Sequence, residues 1–395
     1  MSETRSDFTV IHLATGSVGG AGLAARRLNK ALNDAGFNSK FYSPIRESYS
    51  PGKNEFEITR SPTGKLKSAL STILQKNFHN ISFFSLFSVN VIRIREIHKI
   101  ATKENSILQF HNWFNLVSQK TILKLAKSGY RVVLTMHDER FFTGGCHYAL
   151  ECRGFTNGCH SCPRLSMPLK EVPARNLQIA KKLMNEANSN IYFIAPSKWL
   201  SDEAKSSELL KNANLIHISN TLGEDLTSIP QIHFRKEIYH LNIGIASMDH
   251  TSFVKGGDTL QAVIEIASLK KLPINFIYFN QLQANADAEK EFWGKLDYLL
   301  SLSRADNSPN VIHEAKFRGI PVISTAIGGI TELLTSPPDV EISGTNTHET
   351  IVEILESLIG LNGSLDLELN NKAFVDYSGQ SVSKHIDLYK TILAK

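Results

Sequence analysis

The stretch FTVIHLATGSVGGAGLAARRLNKALNDAGFNSKFY, residues 8–42, decides the fold class. Residues 8–15 form an apolar, β-rich run that ends in the glycine-rich segment 16–22. The apolar residues of 23–36 then recur on one face of a helix, and a second strand is expected at 38–42. Because strand, glycine loop, helix and strand follow one another closely, this unit favours a parallel sheet.

The same alternation continues along the chain and predicts an α/β protein built from two Rossmann-like domains. Further strands are predicted at 107–111, 131–136, 191–195, 215–218, 239–247, 274–279, 297–302 and 321–324. Further helices are predicted at 121–126, 174–187, 198–206, 258–269, 310–318, 349–359 and 382–393. Two doubly wound sheets would bring their ligand-binding crevices to the interface between the domains.

The turn-rich segment 221–231 is interpreted as the linker between the two domains. The first domain is predicted to span 1–222, with a cysteine-containing insertion at about 144–165. The second is predicted to span 232–375. A final helix within 376–395 is expected to return to the first domain.

The composition is that of a globular protein large enough for two cores. Of the 395 residues, 42% are hydrophobic and 21% are charged. The formal net charge of +5 is mild, so no nucleic-acid partner is expected. The polar start of the chain does not resemble a signal peptide, and no run of about 18 apolar residues occurs. These features predict a cytoplasmic protein.

Residues 58–103 are strongly basic, with eight lysines and arginines against Glu96 alone. Two interpretations stay open for this segment. It is either a solvated helical excursion packed on the sheet or a surface that rests on anionic lipid. The second interpretation uses interleaved aromatic residues, namely Phe78, Phe83, Phe84 and Phe87.

The glycines of the first unit suggest an approach to phosphate. Gly19 and Gly20 lie where a strand gives way to a helix, and backbone amides at such a position favour a pyrophosphate. The series Gly20, Gly22 and Ala25 also fits the dinucleotide fingerprint, but segment 40–44 lacks the acidic residue that binds the ribose of NAD. The alternative is a tight turn that serves helix packing only.

All four cysteines fall within one short window, with the spacing C-x5-C-x6-C-x2-C. Four thiolates suit a tetrahedral structural zinc, and His147 or His160 could replace one of them. Four buried free thiols are the alternative. The candidate metal ligands are Cys146, Cys152, Cys159 and Cys162.

Several blocks of the chain together resemble the retaining GT-B glycosyltransferases of family 4, and within them the bacterial capsule and exopolysaccharide enzymes. The blocks are GGAGLAARRLNKAL, HNWFN, VVLTMHDERFFTGGCHYALECRGFTNGCHSCP, VKGGDTLQAV and DNSPNVIHEAKFRGIPVISTAIGGITELL. They are spread over residues 10–334. The resemblance implies two Rossmann-like domains facing across a cleft, the first binding the acceptor and the second the nucleotide sugar.

The activity that the resemblance implies is transfer of a hexose from a nucleotide diphosphate sugar. The acceptor would be a glycan or a polyprenyl-linked oligosaccharide of surface polysaccharide biosynthesis. No cofactor would be required for catalysis. The enzyme would work in the cytoplasm, with peripheral contact to the inner face of the cell membrane through 58–103.

The resemblance also implies roles for single residues. Asp306 stands at the first position of a Glu-x7-Glu pattern and would contact the donor sugar, with the following loop amides, while Glu314 would accept hydrogen bonds from the ribose. Lys255 would bind the diphosphate. His137 would lie against the donor sugar, and His111 with Asp138 on the acceptor side. The remaining donor-binding positions are Gly19, Gly20, Asn307, Asn310, Gly328 and Gly329.

Two departures from the family pattern favour a second function. Asp249 stands where many members carry an arginine, and the segment between Phe279 and Asp297 is too short for the usual strand that holds the nucleobase. The alternative is therefore a catalytically weakened protein that binds sugar nucleotide or a partner enzyme. A zinc-linked nucleic-acid binder is the last candidate, since only Arg153 and Arg164 lie near the cysteines.

Overall fold

A computed structural model of the chain divides into two compact units, Met1–Thr221 with Ser381–Lys395 and Leu222–Gln380. The structure describes residues 8–44, 51–78, 84–187, 189–223, 239–247, 249–279, 286–334, 339–360 and 368–395. For 74–78, 286 and 368–378 it describes the backbone only.

The described residues of the first unit form a parallel sheet of seven strands in the order β3-β2-β1-β4-β5-β6-β7. The strands are β1 Thr9–Leu13, β2 Asn38–Ser43, β3 Glu55–Glu57, β4 Ser106–Phe110, β5 Arg131–Thr135, β6 Ile191–Ala195 and β7 Asn214–His217. The helices are α1 Gly19–Asp34, α2 Pro62–Phe78, α3 Ile94–Ile100, α4 Gln119–Lys127, α5 Val172–Ala187 and α6 Lys198–Ser206. The strand order reverses between β1 and β4, which is where doubly wound sheets bind ligands.

The second unit contains a parallel sheet of five strands among its described residues, in the order β12-β11-β10-β8-β9. These strands are β8 Leu241–Ala246, β9 Ile274–Phe279, β10 Tyr298–Ser301, β11 Val322–Thr325 and β12 Val340–Ile342. The helices are α7 Gly257–Leu269, α8 Ala286–Lys295, α9 Asn310–Phe317, α10 His348–Ser357 and α11 Glu368–Leu393. Helix α11 ends in the first unit, which includes Ser381–Lys395.

Each sheet buries both faces, as the uninterrupted apolar strands require. In the first unit, Ile11 and Leu108 belong to the cluster on one face, and Val10 belongs to the cluster on the other. Helix α11 completes the second of these clusters with Leu388 and Tyr389. The buried hydroxyl of Tyr389 donates a hydrogen bond to Gln109 of β4, so the end of the chain is part of the first core.

The predicted strands and helices are largely confirmed, and the main differences are local. Helix α1 begins at Gly19, four residues before the predicted 23–36, because its first turn accommodates glycines. A Cβ on Gly22 would lie 2.5 Å from the carbonyl oxygen of Gly16, so that close approach requires glycine. Strands β3 and β12 were not predicted. The predicted linker 221–231 lies outside the described residues from 224 onward.

The basic segment 58–103 contains α2 and α3, and no helix among the described residues has the length and apolar character needed to cross a membrane. Phe84, one of the aromatic residues assigned to lipid contact, is buried beside Cys146, because it fills an apolar cluster under the cysteine segment. The side chain of Phe78 and all of Phe83 lie outside the described residues. The exposed apolar side chains of this segment include Leu66, Leu70 and Ile73 of α2.

The turn before α7 depends on one glycine. Gly256 has a φ of +72°, and a Cβ there would lie 1.9 Å from the carbonyl oxygen of Leu302. This approach fixes the VKGG turn against the end of β10. Any other residue would have to displace the backbone of that strand end.

We expect Gly256→Ala to destabilise the second unit by about 3 kcal/mol, since it adds both a steric overlap and an unfavourable φ. Hydrogen exchange of the β8 and β10 amides would measure the loss. Gly294→Ala in α8 is the control, because a Cβ there meets open space and should stabilise the helix by about 0.5–1 kcal/mol. Equal exchange rates in the two variants would contradict this assignment.

Candidate active site

Three histidine rings form a row across neighbouring strands of the first sheet. His111 follows β4 and His137 follows β5, and Nδ1 of His111 lies 3.3 Å from Nε2 of His137. On the other side, Nε2 of His111 lies 3.0 Å from Nδ1 of His12, which is within β1. Sequence reasoning missed His12, although a histidine inside the apolar run of β1 was a visible signal.

Burial keeps these rings neutral. Loss of solvation lowers the pKa of His12 to about 3, with a further contribution from His385 of α11. Desolvation likewise lowers the pKa of His137 to about 4, against the opposing charge of Asp138. The pKa of His111 is lowered well below its ordinary value by desolvation and by the neighbouring histidines. At neutral pH each ring therefore has one donor nitrogen and one acceptor nitrogen.

Asp138 is held by a second network. Desolvation alone would raise the pKa of its carboxyl, but the charge and hydrogen bond of His147 outweigh that effect and lower it. One oxygen lies 2.6 Å from Nδ1 of His147, and the other accepts from the amide of Arg140 at 2.9 Å. Nε2 of His147 is in turn 2.9 Å from the hydroxyl of Ser85. His147 thus partners Asp138, and this role was missed from the sequence.

A small concavity joins the predicted His137 and Asp138 to the HNWFN block. Its wall is formed by His111, Asn112, Trp113, Phe114, Met136, His137, Asp138 and Phe141. Because the strands are parallel, the carboxyl end of β1 lies at the same edge, and Gly19 and Gly20 begin α1 there. The first turn of α1 carries no acidic residue. The structure thus brings the predicted histidines and glycines to one edge of the first sheet.

The four cysteines are free thiols. Within the described residues, no group of three or more histidine, cysteine, aspartate and glutamate side chains could hold a metal ion. Desolvation raises the pKa of Cys146 to about 12 and that of Cys159 to about 11, so both are neutral at physiological pH. As placed, these thiols do not fit a zinc centre, and the structural zinc stays a prediction.

In the second unit, Lys255 and Asp306 form an ion pair. Asp306 lies in the loop between β10 and α9, and its carbonyl oxygen accepts from the amide of Gly329 at 3.1 Å. Gly328, with a φ of +58°, begins the turn that follows β11. The structure thus brings Lys255, Asp306 and the Gly328-Gly329 turn, all predicted to contact the donor, to the carboxyl edge of the second sheet.

The other predicted donor-binding residues line the start of α9. Asn307, Asn310 and Glu314 are all buried, with exposures of 4%, 8% and 3%. Glu314 lies one turn into the helix, and its carbonyl oxygen accepts from Nη1 of Arg318 at 3.1 Å. Each of the three also interacts with other groups of the chain, so their polar side chains are held in place at the helix start.

Asp249, which stands where many members of the resembling family carry an arginine, has a local structural role. The Asp249 carboxylate accepts from the amide and hydroxyl of Thr251, at 2.9 and 2.7 Å, and so closes its own turn. A different cation, Arg304, lies near the loop that precedes α7. It donates two hydrogen bonds of 2.5 and 2.8 Å to Asp258. No motif in the sequence marked Arg304. The described part of 280–296 is the helix α8, and 280–285 lie outside the described residues.

Known proteins resemble the chain over nearly its whole length. No protein-family model matches it. The putative colanic acid biosynthesis glycosyl transferase WcaC of Escherichia coli (strain K12) is 24% identical over 346 residues, which cover 79% of this chain and 84% of that protein. Sucrose-phosphate synthase from Thermosynechococcus elongatus aligns with a TM-score of 0.63 at 12% identity, over 98% of this chain and 99% of that one. HepE of Anabaena, solved with UDP and glucose, aligns with a TM-score of 0.52 at 14% identity, over 97% and 99%.

These comparisons confirm the predicted resemblance and the fold class. The curated relative is a glycosyltransferase of polysaccharide biosynthesis, and the solved structures share the α/β fold with two parallel sheets. The chain has the GT-B fold of these solved structures and is similar in sequence to a putative glycosyltransferase.

The buried histidines predict that stability falls in acid. Their pKa values are about 3 to 4 when folded, against an ordinary value of 6.5, so the unfolded chain takes up protons first as the pH decreases. Stability is therefore complete above about pH 6.5 and falls by up to about 1.4 kcal/mol per pH unit for each such histidine below it. We expect His385→Gln to reduce this slope between pH 6.5 and 4.5 in urea unfolding. The exposed His348→Gln should leave the slope unchanged, and an unaltered slope in His385→Gln would contradict the assignment.

Proposed function

We propose that the protein is a retaining glycosyltransferase that moves a hexose from a nucleotide diphosphate sugar to a glycan or lipid-linked acceptor in surface polysaccharide synthesis. The observation that carries the proposal is the convergence of Lys255, Asp306 and the Gly328-Gly329 turn at one sheet edge. The Lys255 ammonium group and the backbone amides of the VKGG and Gly328-Gly329 turns suit a diphosphate. The adjacent Asp306 carboxylate suits sugar hydroxyls. HepE of Anabaena, which has a similar fold, has been solved in complex with UDP-glucose, and this supports a donor of the same class here.

Lys255 would stabilise the departing diphosphate. Its side chain is 39% exposed, while that of its partner Asp306 is only 11% exposed. The ammonium group is therefore accessible to a ligand while the buried carboxylate holds it in position. Charge develops on the leaving diphosphate as the glycosidic bond breaks, and a positioned cation lowers the energy of that state. Asp306 would at the same time accept a hydrogen bond from the sugar.

Glu314 would bind the ribose. Its carboxylate lies on a buried helix start, and a carboxylate can accept two hydrogen bonds from neighbouring hydroxyls. The neutral ring of His137 would provide a hydrogen bond in the first unit through the nitrogen that does not face His111. His111, whose two ring nitrogens face His12 and His137, would hold that ring in place. In the proposed front-side displacement, the leaving phosphate assists the incoming hydroxyl, so the protein contributes positioning and charge stabilisation. We place this activity in the cytoplasm, at the inner face of the membrane.

A second candidate function is a weakened homologue that binds sugar nucleotide or a partner enzyme. Asp249, which closes its own turn where a cation is common, favours it. A panel of sugar nucleotides in a thermal-shift assay, followed by donor hydrolysis with the same nucleotides, separates the two functions. Binding without hydrolysis or transfer supports the weakened homologue.

We expect Glu314→Gln to weaken donor binding by about 10- to 100-fold, since the hydrogen bonds of a charged carboxylate contribute about 1.5–3 kcal/mol. Titration with the sugar nucleotide that gives the largest thermal shift would measure this. Glu341→Gln on β12 is the matched control, because Glu341 is an exposed carboxylate. Equal affinities in both variants would remove Glu314 from the site.

We expect Lys255→Ala to lower the rate of donor hydrolysis by at least about 10-fold, because the diphosphate loses its cation. Lys295→Ala is the control, since Lys295 also forms an ion pair, with Glu291, but on the exposed face of α8. Steady-state hydrolysis under donor saturation distinguishes lost turnover from lost affinity. An unchanged rate in Lys255→Ala would contradict its role at the diphosphate.

A further inference from the structure

The first unit contains a cavity of about 480 Å³ between α2, α4 and α5. This volume is in the range of sites that bind small molecules. The cavity shares no lining residue with the concavity beside His137. None of the proposed donor-binding residues lines it. The cavity is therefore a feature that the proposed reaction leaves without a role.

The charged groups of this cavity are all cations. Lys67 of α2, Lys120 of α4 and Arg140 contribute to its lining, and no carboxylate of the described residues does. The cavity also includes the start of α4, where Ser118 caps the helix, and the partial positive charge of a helix start adds to the same field. The cavity is thus suited to an anion.

Arg140 gives this field a fixed donor. It is 2% exposed, its Nε donates to the carbonyl oxygen of Ser85 at 2.9 Å, and its guanidinium lies over the rings of Trp113 and Phe114 at 5.6 and 5.9 Å. Its Nη1 has no hydrogen-bond partner within the described part of the chain. A buried cationic donor without a partner is costly, so this guanidinium, which contributes to the cavity lining, keeps a capacity to bind an anion.

The rest of the wall is apolar and opens to solvent. Leu86 and Leu183 lie in the wall, and Leu70 and Ile179 are 50% and 51% exposed. On α2, Leu66 and Ile73 are also exposed, at 62% and 55%, and with Leu70 they share one helical face. Contiguous exposed apolar side chains of this kind mark a binding surface. The cations and the apolar face therefore lie side by side on one surface.

We propose that this cavity binds a phosphorylated lipid, with its phosphate at Arg140 and its hydrocarbon chain along Leu70 and Ile179. The cationic lining favours binding of the phosphate, and the exposed apolar face of α2 favours binding of the lipid hydrocarbon chain. The inference rests on the proposed function to the extent that such a lipid is the carrier of the acceptor glycan. The cavity then holds the carrier while the reacting sugar lies elsewhere.

Binding of farnesyl diphosphate to the full chain tests the proposal. Farnesol, which keeps only the hydrocarbon chain, and inorganic pyrophosphate, which keeps only the anionic group, are the comparison ligands. We expect farnesyl diphosphate to bind at least 10-fold more tightly than either probe, as measured by isothermal titration. Leu70→Asp should weaken binding at least 10-fold, because it places a negative charge on the apolar face. The matched control is Leu269→Asp, since Leu269 is 83% exposed at the end of α7 in the second unit.

Arg140→Gln should reduce binding of farnesyl diphosphate to the level of farnesol, with circular dichroism checking that the variant folds. If Arg140→Gln does not fold, Lys67→Gln tests the cations from an exposed position and should weaken binding several-fold. Equal binding of pyrophosphate and farnesyl diphosphate, or unchanged binding in Leu70→Asp, would overturn the proposal. Donor hydrolysis is measured on the same preparation. Lipid binding without hydrolysis would refute the proposed function alone, and hydrolysis without lipid binding would refute the cavity assignment alone.

Discussion

Parallel strands bring their carboxyl ends to one edge of a sheet, and both candidate sites of this protein depend on that constraint. In the first unit it gathers His12, His111 and His137, which are distant in sequence, into one hydrogen-bonded row. In the second it sets Asp306 after β10 beside the turn that follows β11. The side chains at these edges are largely buried. Their chemistry is therefore controlled by desolvation and by one or two specific partners.

The ion pair of Lys255 with Asp306 keeps two proposed donor-binding groups in position in the absence of substrate. Each group neutralises the other, so neither charge lacks a partner near a loop that is mostly shielded from water. A diphosphate sugar offers both groups a replacement partner. The Asp138 network differs, because both of its oxygens are already occupied by protein donors. We regard Asp138 as a residue that positions its surroundings.

The sequence was sufficient for most of the strands and helices, because apolar runs and glycine turns are local signals, but not for the short strands β3 and β12. It also located the residues at strand ends, such as His137. It could not locate Arg140 or His147, because their significance lies in partners far along the chain, at Ser85 and Asp138. The interpretation of the basic segment as a lipid-contacting surface was wrong for Phe84, because this ring packs against residues far along the chain, such as Cys146. Composition cannot tell whether an aromatic ring faces solvent or fills a neighbouring cluster.

Helix α11 has a consequence for biosynthesis. Its Leu388 and Tyr389 complete an apolar cluster of the first sheet, yet the ribosome makes them only after the entire second unit. Leu28 and Leu32 of α1 pack on this face early, but the part that α11 covers stays exposed until the span Leu222–Gln380 has been translated. Nascent chains would depend on chaperones during this interval. Loss of α11 would leave this part of the sheet exposed and favour aggregation.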